Sequence, residues 1–359
     1  MRASEWFKLL STVPISYLRS KQFRTRPVQA IIDVSLKCPA SCKYCATWMI
    51  EHEDLNTDEI NLIIRRLRKM GVTLVALSGG EPMIRRDLPQ FVKTGVDLGM
   101  MVSTITSGLV DNEQRFRELM ENGVSVITFT IDGIDKEMHE TFRNDTDFDR
   151  LISAVKTAMA VREKGGFKTR INSQTVITRH NIEHLPEIVA MGDELGVDHC
   201  SFQPVWPTLD FDNFVREFGF DENDKELLET ARDQLRSVPN ANLKEFIDLL
   251  PDFYLDYPRI RKEIECYAGR AFVHVNYKGE LLPCAFYPES FGSLVDHEPE
   301  ELLEGEHHAR LLEEAADQSG CGGCSLTCHM ERNLMLRSVS RPSAWPQLLT
   351  ERFRRRSAR

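Results

Sequence analysis

Residues 28–45 read VQAIIDVSLKCPASCKYC, an apolar run with β character that leads directly into three cysteines. Further apolar runs of the same kind recur at regular intervals as far as residue 204, and amphipathic stretches separate them. The six predicted strands are Val28–Ser35, Val72–Leu77, Met101–Thr106, Val124–Ile131, Arg170–Ile177 and Asp198–Pro204.

The stretches between these runs have helical periodicity. In the clearest of them, Asp58–Met70, apolar residues follow the i, i+3, i+4, i+7 rule and Gly71 stands at the expected helix end. The other predicted helices lie near Leu88–Leu98, Asn112–Glu121, Phe148–Lys164 and Asn181–Leu195. Alternating strands and helices predict an α/β fold with a parallel sheet. Six repeats are fewer than the eight of a closed barrel, so we expect a partial (β/α)6 barrel whose reactive face lies at the carboxyl ends of its strands.

Charge is distributed unevenly along the 359 residues, which together carry −10. Residues 1–27 hold six Lys or Arg against one Glu and residues 331–359 hold eight Arg against two Glu, which leaves −21 for residues 28–330. An acidic body argues against a nucleic-acid partner. The longest stretches without a charge, Leu98–Val110 among them, are 13 residues, too short to span a membrane. Since no secretion signal is recognisable either, we expect a cytoplasmic protein.

Eight of the nine cysteines form two clusters, one near each end of the acidic body. In a reducing compartment, clustered cysteines are more often metal ligands or catalytic groups than disulfides. Cys38, Cys42 and Cys45 have the spacing C-x3-C-x2-C on the loop after the first strand. Three thiolates suit a [4Fe–4S] cluster with one open iron. Zinc, which normally takes four ligands, and three merely buried thiols remain the alternatives.

With this motif and framework the sequence resembles the radical S-adenosylmethionine (SAM) superfamily. The resemblance covers residues 28 to about 330 and includes Ser78-Gly79-Gly80-Glu81-Pro82, which is similar to the GGEP motif of that family. It implies an enzyme whose cluster passes one electron to SAM. SAM then splits to methionine and a 5′-deoxyadenosyl radical, which abstracts hydrogen from a substrate. It also implies a reduced flavodoxin or ferredoxin as electron donor.

The resemblance assigns SAM contacts residue by residue. Glycines let the backbone approach the ligand closely, and a carboxylate complements the methionyl ammonium. Later strand ends supply further contacts, including Thr106-Ser107-Gly108, where Ser replaces the usual Asn, and the His139-x3-Arg143 pair. Asn172 and Ser173 are weaker candidates. The expected SAM-binding residues are Tyr44, Gly79, Gly80, Glu81, Ser107, Asp132 and Arg143.

The second cysteine cluster resembles the SPASM/twitch extension of radical SAM enzymes. Cys266-x12-Gly279-x4-Cys284 matches the start of that pattern, and Cys321, Cys324 and Cys328 follow. Five cysteines predict the truncated form with one auxiliary [4Fe–4S] cluster, held by Cys266, Cys284, Cys321 and Cys324, with Cys328 as a spare thiol or a substitute ligand. A structural zinc knot is the alternative. Cys200 is interpreted as an inert core residue, or else as a hydrogen-atom donor.

The predicted organisation has five parts. A basic amphipathic segment (1–27) precedes the radical SAM partial barrel (28–205), an acidic connecting segment (206–265) with a solvated helix at Asp224–Ser237, the auxiliary-cluster domain (266–330) with a Phe272–Cys284 hairpin, and a basic tail (331–359). The two basic ends either pack on the barrel, which we favour, or contact anionic lipid peripherally at the inner membrane face.

The substrate is the least constrained part of the prediction. Peptide-modifying relatives often carry an extra N-terminal peptide-binding domain, and only 37 residues precede Cys38. We therefore expect a small-molecule or lipid substrate, oxidised with the help of the auxiliary cluster. The alternatives are a peptide-modifying maturase and, from a different class, a non-catalytic iron–sulfur or zinc module.

Overall fold

A parallel sheet of six strands forms the body of the molecule, as a computed structural model shows for residues 27–205, 217–321, 324 and 326–339. The six strands are β1 (Gln29–Ser35), β2 (Leu74–Gly79), β3 (Met101–Thr106), β4 (Val126–Thr130), β5 (Arg170–Ile177) and β6 (His199–Pro204). Each pairs in parallel with the next along the chain. The predicted partial barrel is confirmed.

Helices cover the outer face of this sheet. They are α1 (Thr57–Met70), α2 (Leu88–Asp97), α3 (Glu113–Glu121), α4 (Lys136–Glu140), α5 (Phe148–Gly165) and α6 (Leu185–Leu195). Apolar residues of α1 such as Ile63 and Leu67 pack against Ala30 and Ile32 of β1 in the main core. The alternate residues of β1, including Ile31 and Asp33, therefore face the inside of the barrel.

The C-terminal hairpin continues the same sheet. Strands β7 (Phe272–Val275) and β8 (Glu280–Leu282) form the predicted hairpin, and β9 (Gly292–Ser293) pairs with β8. β7 also pairs in parallel with β1, which gives the strand order β6-β5-β4-β3-β2-β1-β7-β8-β9. The main core includes residues from both regions. Two helices follow, α11 (Pro299–Leu302) and α12 (Gly305–Ala316).

The segment predicted as a connection is built into the core. It contains α7 (Lys225–Ser237), α8 (Lys244–Asp248), α9 (Leu250–Leu255) and α10 (Tyr257–Glu263). Leu228, Ala231 and Leu235 of α7 are buried against Leu185 and Phe202. The helix expected to be solvated thus buries one face, because its few apolar residues are spaced to lie on one side.

A last helix, α13 (Thr327–Val339), joins the two sides of the open barrel. Thr327 Oγ1 donates a hydrogen bond to Gln203 Oε1 of β6 at 3.0 Å. Farther along the helix, Arg332 Nε donates to Gln29 Oε1 of β1 at 2.6 Å. These two bonds tie the first and last parallel strands to one element.

Two sequence predictions lie outside the described residues. The basic N-terminal segment falls there almost entirely, and so does the basic tail from residue 340 onward. Within the part of the chain that the structure describes, no helix is long and apolar enough to cross a membrane.

Candidate functional site

The first three cysteines lie together on the loop that leaves the carboxyl end of β1. Cys38, Cys42 and Cys45 share one apolar cluster with Ala40 and Leu109. Burial, followed by smaller effects that include the carboxylate of Glu81 and the other two thiols, raises the pKa of Cys38 to about 11. The loop thus brings three thiols close together, as the C-x3-C-x2-C spacing predicts.

Gly79 and Gly80 bring the end of β2 against the backbone of this loop. The Gly80 N–H donates to Ser35 O at 2.8 Å and the Glu81 N–H donates to Lys37 O at 3.0 Å. A Cβ on Gly80 would lie 2.5 Å from two carbonyl oxygens of the β1 end, and Gly79 has a φ of +123°. We expected these glycines to admit the ligand. In the structure they admit the strand that carries the cysteine loop.

Glu81 is buried, at 1% exposure, and both of its carboxylate oxygens accept hydrogen bonds. Oε1 accepts from the Met83 N–H at 3.0 Å, and Oε2 accepts from the N–H and hydroxyl of Ser107 at 2.7 and 2.5 Å. Burial raises the pKa of the carboxyl, and the bonds to Ser107 and Met83 oppose that effect. Since each oxygen can accept more than one bond, these contacts orient Glu81 and leave it capacity for an ammonium group.

Asp132, Arg143 and Tyr44 form a closed network beside the cysteine loop. Asp132 is fully buried; its Oδ2 accepts from Arg143 Nε and, at 3.3 Å, from Tyr44 OH. Its Oδ1 accepts from the Val176 N–H at 2.6 Å. Arg143 Nη1 lies 3.7 Å from Cys42 Sγ. The network therefore places a guanidinium against the thiols, while Asp132, an expected SAM-binding residue, is fully buried with both carboxylate oxygens hydrogen-bonded within the protein.

His139 of α4, which follows the end of β4, contacts the backbone of this network. Its Nδ1 accepts a hydrogen bond from the Asp132 backbone N–H at 3.2 Å, so this nitrogen carries no proton. Burial first, and Arg143 second, lower the pKa of His139 to about 4. His139 thus acts on Asp132 through its backbone rather than through a ligand.

The second group of cysteines lines a cavity that is partly open to solvent. Cys266, Cys284, Cys321 and Cys324 all contribute to its wall. Burial raises the pKa of Cys266 to about 11 and that of Cys284 to about 12. These are the four residues that the sequence predicts as ligands of an auxiliary cluster.

Cys328 is not among the residues that line this cavity. Its thiol is nevertheless close enough to Cys324 to contribute to the raised pKa of that residue, and Arg332 and Glu331 of α13 lie near it. Burial raises its pKa to about 12. The role of Cys328, as a spare thiol or as a substitute ligand, stays a prediction.

Both sets of thiols have donor chemistry that suits iron–sulfur clusters. The thiolate is the form that binds metal, and closely spaced buried thiolates without a bound cation would be costly. Zinc needs four ligands at about 2.0–2.3 Å from one point. In the described part of the chain no three His, Cys, Asp or Glu side chains are arranged around one ion in this way. The four thiols on the wall of the second cavity match the four thiolate ligands of a [4Fe–4S] cluster.

Cys200 and Ser173 face away from the barrel interior. Cys200 is buried at 5% exposure and packs with Phe202 and Leu185 in the outer core. Burial raises the pKa of its thiol, which a hydrogen bond with the Ser173 side chain opposes. The structure supports the inert core interpretation, because a hydrogen-atom donor would have to reach the inner face.

A pair of polar residues inside the barrel escaped the sequence analysis. His274 Nε2 of β7 lies 2.8 Å from Asp33 Oδ2 of β1, and both side chains are largely buried. The signal was present, since Asp33 interrupts the apolar run of the first strand and His274 interrupts FVHV. Charged residues inside buried strands are costly unless they have a partner or a function.

These features together define an iron–sulfur enzyme built on a partial barrel, and comparison with known proteins agrees. Residues 32–192 match the family model described as the radical SAM superfamily. These residues therefore form a radical SAM domain. The cofactors of this domain are a [4Fe–4S] cluster and SAM.

The chain is similar to curated proteins named PqqA peptide cyclase. One from Xanthomonas campestris pv. campestris is 26% identical over 322 residues, which cover 83% of this chain and 79% of the relative. One from Granulibacter bethesdensis is 27% identical over 268 residues, which cover 72% of this chain and 67% of the relative.

Solved structures share the fold over most of the chain. Streptococcus suis SuiB bound to S-adenosylmethionine has a TM-score of 0.62 at 15% identity, over 89% of this chain and 76% of that one. The native anSMEcpe enzyme with bound AdoMet and a peptide has a TM-score of 0.59 at 16% identity, over 90% of this chain and 98% of that one. The resemblance to radical SAM enzymes with a SPASM/twitch-like domain is confirmed.

Proposed function

We propose that this radical SAM enzyme oxidatively modifies a peptide. The observation that carries the proposal is the similarity over most of the chain to proteins named PqqA peptide cyclase. A second, independent likeness is to SuiB solved with its precursor peptide SuiA, with a TM-score of 0.61 at 16% identity. Both favour the peptide alternative over the small molecule or lipid expected from the short segment before Cys38.

The arrangement of the two thiol sites supports an oxidation. When bound, SAM and its cluster supply a carbon radical that removes a hydrogen atom from the substrate. The chain's own residues hold and surround these groups: Cys38, Cys42 and Cys45 for the first cluster, with Glu81 and Arg143 beside them. Cys266, Cys284, Cys321 and Cys324 would hold one auxiliary cluster at the second cavity.

The first experiment tests the cofactors. The protein is purified without oxygen and reconstituted, and iron is counted in the wild type and in the Cys38/Cys42/Cys45 triple Ala variant. We expect about eight irons per chain in the wild type and about four in the variant, for two [4Fe–4S] clusters. With SAM and dithionite, only the wild type should form 5′-deoxyadenosine. Zinc in place of iron would contradict the proposal and favour a binding module.

The second experiment tests the substrate class. Short open reading frames beside the gene are made as synthetic peptides and incubated with the reconstituted enzyme, SAM and a reduced flavodoxin. A peptide product lighter by two hydrogen atoms, formed with one 5′-deoxyadenosine, is the expected result. If 5′-deoxyadenosine forms equally with and without every peptide while a small-molecule extract stimulates it, the peptide proposal is wrong.

A further inference from the structure

The inner face of the barrel carries a buried nitrogen without a partner. His274 is 5% exposed, and its Nδ1 has no hydrogen-bond partner among the described residues. The other ring nitrogen, Nε2, lies 2.8 Å from Asp33 Oδ2. An ionised carboxylate accepts only, so Nε2 carries the proton and donates it. In the neutral ring Nδ1 is then an unprotonated acceptor.

The direction of the His274 side chain follows from its strand. Val273 and Val275 on either side of it are buried in the main core together with Ala30 and Ile32 of β1. Because successive side chains of a strand point to opposite faces, His274 and Asp33 project toward the barrel interior. The unpartnered acceptor therefore faces the space that the parallel strands enclose.

A second buried acceptor without a partner lies on β5, on another part of the barrel wall. Asn172 of β5 also has a buried oxygen, Oδ1, without a partner among the described residues. Its neighbours Ile171 and Ser173 face the outer side, so Asn172 faces inward. Two buried acceptors on separate strands of one enclosure are unusual, because an unsatisfied buried polar atom costs about 1–3 kcal/mol. Both atoms would be satisfied by a ligand that brings N–H or O–H groups.

The pair also lies between the two thiol sites. Asp33 is in the strand that ends in the Cys38 loop. His274 is two residues beyond Phe272, which lines the cavity of the second cysteines and stacks on His329 at 4.7 Å between ring centroids. A group bound at His274 would thus lie between the place where hydrogen is removed and the auxiliary site.

We propose that His274, oriented by Asp33, is a substrate-recognition residue that accepts a hydrogen bond from an N–H group of the peptide at Nδ1. This inference rests on the proposed function, since a peptide is the donor-rich ligand it assumes. Asn172 Oδ1 supplies a second acceptor on the facing wall. Asp33 is a positioning residue, since it fixes the tautomer and orientation of the ring.

Two substitutions separate recognition from a structural role. In His274→Gln the amide nitrogen takes the place of Nε2, so the bond to Asp33 is kept and the Nδ1 acceptor is lost. In His274→Asn the amide oxygen takes the place of Nδ1, so the acceptor is kept and the bond to Asp33 is lost. If the histidine had only a structural role, His274→Gln would leave the protein and its peptide binding unchanged, and His274→Asn would impair them. Recognition through Nδ1 requires the reverse order.

The experiment measures peptide binding by the reconstituted protein with SAM present, using the fluorescently labelled synthetic peptide that the wild type modifies. We expect His274→Gln to raise Kd and KM at least tenfold and His274→Asn to raise them less. Exposed His297→Gln serves as the matched control, and its Kd should not change. Iron content and the melting temperature show whether each variant is folded.

The outcomes distinguish this inference from the proposed function. If the wild type binds no flanking peptide, the proposed function fails. If it binds one and His274→Gln binds equally well, this inference is wrong while the function stands. Should His274→Gln not fold, Asn172→Leu provides the second test. If the peptide Kd of this variant is within twofold of the wild-type value, the proposed site with acceptors at both His274 and Asn172 is wrong.

Discussion

Gly80 shows how one residue controls the first cluster site. Its missing side chain leaves room for the carbonyl oxygens of the β1 end, which a Cβ would approach to 2.5 Å. The contacting atoms are backbone, so they can yield only if the cysteine loop moves. The glycine pair was recognised from sequence as a motif, but its structural reason depends on a contact between strands that sequence does not display.

Substitution Gly80→Ala should therefore disturb the first cluster and spare the second. We expect the iron content to fall toward that of the triple Ala variant. The formation of 5′-deoxyadenosine should fall about tenfold or more, which corresponds to a loss of about 1.4 kcal/mol or more of stabilising free energy at the misplaced site. Gly99→Ala is the control, because a Cβ on Gly99 would have nothing within 4 Å, although Gly99, unlike Gly80, has a positive φ of +76°. Equal iron loss in both variants would refute the contact argument.

His139 gives a second prediction at this scale, for the dependence of stability on pH. Its pKa in the folded protein is about 4, below the ordinary value of 6.5. The unfolded chain therefore takes up a proton as pH falls below about 6.5, and the folded protein resists it until about pH 4. The stability that this neutral ring provides is present above that window and is lost within it.

The substitution His139→Asn keeps an acceptor near Nδ1 and removes the titration. Relative to the wild type, the variant should lose about 2 kcal/mol less stability between pH 7 and pH 5. Urea midpoints followed by tryptophan fluorescence measure the difference. Half-exposed His184→Asn is the control for replacing a histidine elsewhere in the fold. If the urea midpoints of all three proteins fall equally between pH 7 and pH 5, His139 is not the source of the pH dependence.

At the scale of elements, the strongly periodic parts of the chain were predictable and the others were not. β3 and β5 have the predicted bounds, and α1 begins one residue earlier than predicted, at Thr57. Strong alternation or helical periodicity, with a cap such as Asn56 and a left-handed Gly71 at the end, defines such elements locally. α8, α9 and α10 are short, and their packing depends on contacts with distant segments that sequence periodicity does not report.

The α7 helix provides a test of the claim that the acidic segment is part of the core. Leu228 has no exposed surface and packs among residues of β6 and α6. Leu228→Ala should cost about 2–5 kcal/mol through the lost contacts and the cavity left behind. Exposed Gln234→Ala on the same helix should change stability by less than about 0.5 kcal/mol. Hydrogen exchange of the β6 amides measures both, and a similar effect for the two variants would favour a solvated connection.

At the scale of the whole molecule, the barrel and the cysteine-rich region form one sheet. Residues Gln29–Ile32 of β1 pair with Phe272–Val275 of β7, and residues of both regions share the main core. The sequence suggested separate domains because cysteine spacing and the hairpin turn are local features. The pairing of β7 with β1 joins residues more than two hundred positions apart, and no local pattern encodes it.

A chain that ends at residue 265 should consequently not fold as an independent barrel. It would expose the edge of β1 and the apolar surface that β7 covers, which promotes edge-to-edge association. We expect such a chain to be insoluble or aggregated in size-exclusion chromatography, and co-expression with residues 266–359 to restore part of the soluble protein. A monodisperse, cooperatively melting 1–265 fragment would show that the two regions are separate domains.

Helix α13 has a consequence for the order of events during synthesis. Gln29 lies in the first strand to be made, and its partner Arg332 follows 303 residues later. The same stretch of chain carries Cys324, which lines the second cavity, and Thr327, which bonds to β6. A ribosome-bound chain therefore has an unclosed barrel until residues 324–332 have emerged. During that interval the Cys38 loop and the inner wall remain open to the proteins that deliver iron and sulfur.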